Sequence, residues 1–471
     1  MRKVDVAIIG AGSAGLSALS EVRKETDNFV IINHGPYGTS CARVACMPTK
    51  ALIDAARAYQ GRLFLPEIGV AGVAGLAIDI PAVLRHVRRL RDGFVSGMVK
   101  ETEGLGDKSI TATARFAEPD VIRVNDTLIK AGRVVIATGS TPVFPEEWHQ
   151  FGPRFLTTDE IFEQLDLPGR MAVVGLGPSG LEFAQALHYL GIQVSAFEAG
   201  SLVGGLSDPE VNRCAVEKLA SEFALHRQVK VEIAAAGEEL VLRHGGQETR
   251  VDRVLLTMGR RPALAGLGLE QVGVALGPRG VPAHDPETMR IAGFPIYIAG
   301  DANNDRPILH EAVDEGHIAG YNAVRSEDHC FKRRTGLAIT FTEPNIARVG
   351  RSFASLKEGE YVVGDYDFGG QSRARMSGSN HGCLRLYAAR ENGRLLGAEM
   401  AAPAGEHLAH LLAWSIGRKA TLFDMLQQPC YHPVVEEGLR TAIRKASSLL
   451  PSRPREIEML LCRSQPSEEI C

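Results

Sequence analysis

The chain has no long uninterrupted apolar run. Its best candidate, Gly69 to Leu84, is broken by Asp79 and Pro81 and falls short of the roughly 18 residues that cross a bilayer, so no membrane partner is expected. It also lacks an excess of charge of either sign. The 52 Lys and Arg stand against 56 Asp and Glu, a net charge of −4, which leaves no broad basic field for a phosphate backbone and excludes nucleic acid as an expected partner. Cysteine is sparse. Eight in 471 residues cannot form a structural disulfide framework for so long a chain; in a reducing compartment they read as buried thiols plus one working pair. An apolar strand pattern, Val4 to Ile9, begins three residues from the start, which leaves no room for a signal or transit peptide, so the expected location is cytoplasmic.

What is present is an ordinary globular composition, 45% hydrophobic with aromatics at only 6%, long enough for two to four domains of about 100–200 residues. Residues 4–35 read as strand, glycine turn, helix and strand: VAIIG, AGSAG, an alanine-rich stretch, then FVIIN. The grammar recurs at 171–198 as MAVVG, LGPSG, LEFAQALHYLG and VSAFE. Two Rossmann-like units, hence two dinucleotides, are implied. Short strand patterns at 121–137 and 250–258 end in glycine turns, ATGS and MGRRP, which read as the close of each unit. From about 337 longer alternating strands give way to helices near 404–418 and 434–448, an α+β domain of its own. Residues 451–471 lack any sustained period and read as a tail.

Gly10, Gly12 and Gly15 follow a strand and open a helix, where small residues let the backbone approach a pyrophosphate and the helix start supplies amide donors. Taken alone, the motif favours a pyrophosphate over a plain strand-to-helix turn, though it fits both. The second copy, Gly175, Gly177 and Gly180, is strengthened by Glu198 at the end of the next strand, placed for the ribose hydroxyls of NAD. No arginine follows closely to receive the 2′-phosphate of NADP; Arg213 is the nearest cation along the chain.

The stretch Cys41-Ala-Arg-Val-Ala-Cys46-Met-Pro-Thr-Lys50 is the most informative. Residues five apart in a straight helix lie roughly 8.6 Å apart by Cα, beyond the ~7 Å reach of a disulfide, so the segment must start irregularly or kink if the two are to bond. Pro48 favours an irregular start. A helix beginning here, with Lys50 close by, would lower a thiol pKa. Standing alone, the stretch fits two unrelated buried cysteines better.

Two glycine fingerprints bracketing this segment resemble the class I pyridine nucleotide-disulfide oxidoreductases, most of all the dihydrolipoamide dehydrogenase branch. The resemblance runs from residue 4 to about 448. It continues through Ala137-Thr138-Gly139-Ser140, Gly259-Arg-Arg-Pro262, Ala299-Gly300-Asp301, Asp314-Glu315-Gly316 and His432-Pro433-Val-Val-Glu-Glu437. It implies FAD and NAD as cofactors and a redox couple of Cys46, against the flavin, and Cys41, facing the substrate. It also implies Asp301 on the ribityl chain, Lys50 paired with Glu182 beside the flavin, and a His432–Glu437 dyad that serves the partner subunit of a homodimer. Imidazole, ordinarily titrating near neutrality, suits the acid/base role. No metal site is expected.

Some residues depart from the family pattern. Asn33 stands where relatives place a glutamate on the FAD adenosine ribose, and no other acid lies between Asp27 and Asp54. Arg43, Ala45, Ala263 and Val434 replace the usual Asn, Gly, Asn and Thr. Cys462 and Cys471 sit in the tail, nine residues apart where relatives with a C-terminal relay have adjacent thiols. Cys214, Cys330, Cys383 and Cys430 have no partner motif and are expected to be inert, although Cys430 immediately precedes Tyr431-His432.

The expected fold is thus α/β: an FAD-binding domain from 1–148 and 266–336, an NAD-binding domain at 149–265, and a C-terminal α+β dimerisation domain at 337–450. The expected function is FAD-dependent dithiol–disulfide exchange with NAD(H), acting on a small dithiol or a lipoyl group carried on a protein. Competing expectations are a reductase of another small or protein disulfide, a flavin diaphorase or transhydrogenase, and a non-catalytic redox sensor.

Overall fold

The computed structural model describes residues 1–451 together with 458 and 459. Strand β1, Arg2–Ile9, is buried along its length from Val6, as a nearly continuous Val/Ala/Ile run requires when both sheet faces are covered. It pairs in parallel with β2, Phe29–Asn33, and with the strand Thr127–Ile136. Helix α1, Ser13–Val22, makes the crossover. The strand Ile296–Ile298, far along the chain, joins this seven-stranded sheet by pairing in parallel with Val134–Ile136. The chain therefore leaves this sheet and returns to it.

Between departure and return lies a five-stranded parallel sheet. Its strands, in spatial order, are Ala224–Arg227, Gln193–Glu198, Arg170–Val174, Arg253–Leu256 and Phe155–Thr157. A three-stranded antiparallel meander, residues 232–251, is attached to it. Two short strands, Ser140–Pro142 and Arg260–Pro262, pair antiparallel where the chain passes between the two units. Residues 337–402 build a five-stranded antiparallel sheet. The helices Gly405–Gly417 and Glu436–Ser448 bury Leu408, Leu412, Leu439 and Ile443 in its core.

Four further helices position the site. They are α2 (Ser40–Arg43), α3 (Cys46–Gln60), α4 (Ile80–Glu103) and α5 (Pro178–Tyr189). Later come α6 (Pro209–Ala220) and α7 (Leu309–Ala323). Helix α7 lies hard against α1: a Cβ on Gly316 or Gly320 would stand 2.2 or 2.3 Å from the carbonyl oxygens of Ala14 and Ala18. Only glycine permits that approach. Among the described residues no helix is long and apolar enough to cross a membrane.

Candidate active site

Each glycine turn is shaped by sterics. Gly10 has φ +110°, and a Cβ there would sit 2.2 Å from the Ala137 carbonyl oxygen; one on Gly15 would sit 1.9 Å from the Gly10 oxygen. The second unit repeats this: Gly175 has φ +95°, with 2.6 Å to the Thr257 oxygen, and Gly180 meets the Gly175 oxygen at 1.9 Å. At the middle glycines, Gly12 and Gly177, the space where a Cβ would stand is open. Neither α1 nor α5 has a side-chain N-cap, which leaves the first-turn amides of α1, and those after Pro178 in α5, without side-chain acceptors. This fits a pyrophosphate at each helix start. In the first unit the buried hydroxyl oxygen of Thr138 has no partner, a further fit to a bound ligand.

The strand ends after the two turns differ. Glu198 accepts the Leu176 amide at 2.7 Å and the Gly200 amide at 2.8 Å. Asn33, at the matching place, accepts only the Ala11 amide, at 3.2 Å.

The redox segment breaks as the spacing of its cysteines requires. Thr39 caps α2 by accepting the Ala42 amide at 3.2 Å. The helix stops at Arg43, Ala45 leaves helical space at φ −124°, ψ −106°, and α3 starts afresh at Cys46. Pro48 falls in the first turn of α3, where its missing N–H costs nothing. Cys41 and Cys46 are free, half-buried thiols close enough for each to shift the other's titration. Both line a cleft of about 410 Å³ together with Gly12, Lys50, Gly139, Glu182, Gly259 and Asp301.

Lys50 Nζ donates to both oxygens of Glu182, at 2.8 and 2.9 Å, and lies 4.6 Å from the centre of the Phe341 ring. Glu182 also accepts the Phe341 amide at 2.9 Å, which ties the C-terminal domain to this pair. The hydrogen bond from Cys41 draws the Cys46 thiol down to about 7; burial opposes the shift and the Lys50 cation assists it. The same bond, reinforced by burial, pushes Cys41 up. Cys46 is therefore the thiolate and Cys41 the proton holder.

The depressed thiol has a defined pH signature. With the free thiol at 9.0 and the folded one near 7, the thiolate's stabilisation is complete above pH 9 and fades as pH falls through 7. Alkylation of Cys46 in the reduced protein, followed by peptide mass spectrometry, should rise with a midpoint near pH 7. A midpoint near 9 would contradict the geometry.

Asp301 accepts the Ser140 hydroxyl at 2.6 Å, and Arg260 bridges Ser140 at 2.9 Å and Asp159 at 2.8 Å. Glu315, fully buried, accepts the Gly300 amide and the Asn303 side chain, both at 2.7 Å. It holds the Ala299–Asp301 turn in place. Ser140, Arg260 and Glu315 were not singled out as site residues from sequence, although the ATGS, GRRP and DEG motifs contain them. Phe341 carried no sequence signal.

His432 and Glu437 do meet, Nδ1 to Oε1 at 2.9 Å, and Glu437 also accepts the Val434 amide at 3.2 Å. Hydrogen bonding to His432 lowers the Glu437 carboxyl. Neither residue lines the cleft of its own chain, and the His432 side chain is 77% exposed. Two of the cysteines expected to be inert are not free: Cys214 and Cys383, 169 residues apart, are disulfide-bonded. Spacing could not reveal this, because one partner lies on helix α6 and the other on a strand of the C-terminal sheet. Cys330 and Cys430 are free; Cys462 and Cys471 lie outside the described residues.

Comparison with known proteins agrees with this geometry. Residues 4–316 match the pyridine nucleotide-disulphide oxidoreductase model, and residues 337–443 match the dimerisation domain of the same group. A dihydrolipoyl dehydrogenase of Chlamydia muridarum is 27% identical over 92% of this chain and 94% of its own. A mercuric reductase of Streptomyces lividans is 28% identical over 94% and 96%. Among solved structures, a Cu(II) complex of the HOCl-induced flavoprotein disulfide reductase RclA from Escherichia coli superposes with a TM-score of 0.82 at 20% identity, covering 94% of this chain and 99% of that one. With two glycine cradles, a dithiol in the cleft beside the first and a dimerisation domain at its C-terminal end, the chain belongs to the pyridine nucleotide-disulphide oxidoreductases, a family that binds FAD and NAD(P).

Proposed function

We propose that this protein is a homodimeric dithiol–disulfide oxidoreductase using NADH and FAD, with dihydrolipoyl groups as the first substrate to test. The observation that carries the reading is the shared cleft: the Cys41/Cys46 pair, the Lys50–Glu182 pair and Asp301 border one space. FAD bound there would carry electron pairs between NADH and the dithiol. Gly10, Gly12, Gly15, Asn33, Thr138, Gly139 and Asp301 hold it in this reading. Gly175, Gly177, Gly180, Glu198 and Gly259 serve NADH. The FAD-binding unit is assigned to 1–148 and 266–336, the NAD-binding unit to 149–265 and the dimer interface to 337–450.

Cys46 keeps its negative charge beside Lys50, while Cys41 exchanges with the substrate. A thiol whose pKa is pushed up needs a base to release its proton. His432 of the partner subunit, oriented by Glu437, takes that proton and returns it to the departing thiol. Glu198 favours NADH over NADPH, since its carboxylate would repel a 2′-phosphate.

Anaerobic NADH titration tests this reading. Oxidised holoenzyme should accept four electrons per chain, two of them stored as Cys41/Cys46 thiols. Uptake that stops at two, the capacity of the flavin alone, would remove the dithiol from the reaction and favour a diaphorase or a sensor.

A second reading, reduction of thiophilic metal ions, draws on the mercuric reductase relatives and on Cys430, a third thiol two residues before His432 on the dyad segment. Turnover with lipoamide, glutathione disulfide, Hg(II) and Cu(II) compared side by side separates the two.

Asn33 is expected to weaken FAD retention, because an amide makes no charge-assisted bond to a ribose hydroxyl. Flavin occupancy after dialysis at moderate ionic strength should be higher in Asn33→Glu than in the native protein. Equal occupancy would remove the argument.

A further inference from the structure

The disulfide outside the cleft joins Cys214 on α6 to Cys383, which opens the strand Cys383–Ala389 of the C-terminal sheet. The two Cα atoms are 6.2 Å apart, within the roughly 4.4–6.8 Å that a disulfide spans without moving the backbone. Cys383 is buried, whereas Cys214 is half-exposed. Of the two residues, Cys214 is thus the less buried.

This sulfur bridge closes a joint that is otherwise built from buried charge. Arg385 and Tyr387 donate to Asp208 at 2.8 and 2.7 Å. Glu399 accepts the amides of Ser207 and Asp208 at 2.7 and 2.9 Å. Asp208 and Glu399 are both fully buried, and Asp208 caps α6 through the Glu210 amide at 3.0 Å. The second dinucleotide unit is thus fastened to the C-terminal domain by the first turns of α6.

The same turns reach back to the nucleotide edge. Asn212, two residues before Cys214, accepts the Val203 amide at 2.9 Å and donates to the Ser201 carbonyl at 3.3 Å. Ser201 and Val203 belong to the loop that follows Glu198, and Glu198 itself accepts the Gly200 amide. Sulfur bridge, helix, loop and acidic strand end form one continuous mechanical path.

We propose that Cys214 and Cys383 are a second, reversible redox couple, which exchanges with low-molecular-weight disulfides and, when closed, clamps α6 so that the Glu198 edge holds NAD more tightly. The nucleotide half of this rests on reading Glu198 as the ribose ligand; the bond itself does not. In the closing reaction the Cys214 thiolate attacks one sulfur of the incoming disulfide, forming a mixed disulfide and releasing one small thiol. Cys383 then attacks the Cys214 sulfur, closing the bond and releasing the second thiol. The protein loses two electrons and two protons, and the small disulfide gains them as two thiols.

Two measurements on the holoenzyme test this, each made across a series of glutathione to glutathione disulfide ratios. In the first, thiols are trapped by alkylation and the unreduced digest is searched for the Cys214–Cys383 peptide pair. It should appear as the ratio becomes oxidising and vanish as it becomes reducing. In the second, NAD⁺ binding is compared in the native protein, Cys214→Ala and Cys383→Ser, with Glu198→Ala alongside. Any effect of the Cys41/Cys46 couple is common to the native protein and the two cysteine variants and cancels.

Under oxidising conditions the native protein should bind NAD⁺ roughly fivefold tighter than either cysteine variant and melt higher by on the order of 5 °C. Under reducing conditions these differences should close. Absence of the linked peptide at every ratio would overturn the couple. A linked peptide with equal NAD⁺ affinities would overturn the clamp. Unchanged NAD⁺ binding in Glu198→Ala would instead sink the ribose reading and leave the couple standing.

Discussion

Cys41→Ser is expected to lose disulfide turnover by roughly 10⁴-fold or more, the scale on which removing a nucleophile acts, while FAD uptake and NADH oxidation by one-electron dyes persist. The split follows from the geometry. Cys41 shares its proton with Cys46 and lines the cleft, yet it takes no part in the two glycine cradles. Serine preserves the size and hydrogen bond of the thiol but cannot form a sulfur–sulfur bond. Cys41→Ala, which removes the donor altogether, should raise the Cys46 pKa, since that hydrogen bond is the largest cause lowering it. A Cys41→Ser protein that still reduced lipoamide or glutathione disulfide at near-native rate would show that the reaction does not run through this pair.

His432→Ala is expected to lower turnover by roughly 10²–10⁴-fold, the contribution of a positioned acid/base, with a smaller loss in Glu437→Gln. His432 is largely exposed on its own chain and stands outside its own cleft, so the proposed reading has it act on a second copy. Complementation reads this directly. When inactive Cys41→Ser dimers and His432→Ala dimers are mixed and allowed to exchange subunits, each hybrid contains one site with an intact Cys41 and an intact partner histidine. Activity should partly return. If the mixture stays as inactive as its parents despite verified exchange, the dyad does not work across the dimer.

The parts of the site that could be read without coordinates are those whose chemistry is confined to neighbouring residues. Gly10 and Gly15 are forced by backbone atoms within one turn or on the adjacent strand, so the motif carries its own reason. A break near Val44–Ala45 follows from the Cα separation that five helical residues would impose on two cysteines meant to bond. His432 and Glu437, five residues apart, meet across one helix start.

Sequence alone thus determined the two dinucleotide units, the irregular dithiol segment and the local dyad. The tertiary structure decided the long-range pairings that no local pattern carried: Phe341 against the Lys50–Glu182 pair, itself implied only by the family resemblance, and Cys214 with Cys383 over 169 residues. The physical reason is that backbone sterics and helix starts act through adjacent residues, whereas the partner of a buried charge or thiol is whichever group the packed sheets bring within a few ångströms. For Cys214 on α6, that partner was Cys383 on a strand of the C-terminal domain.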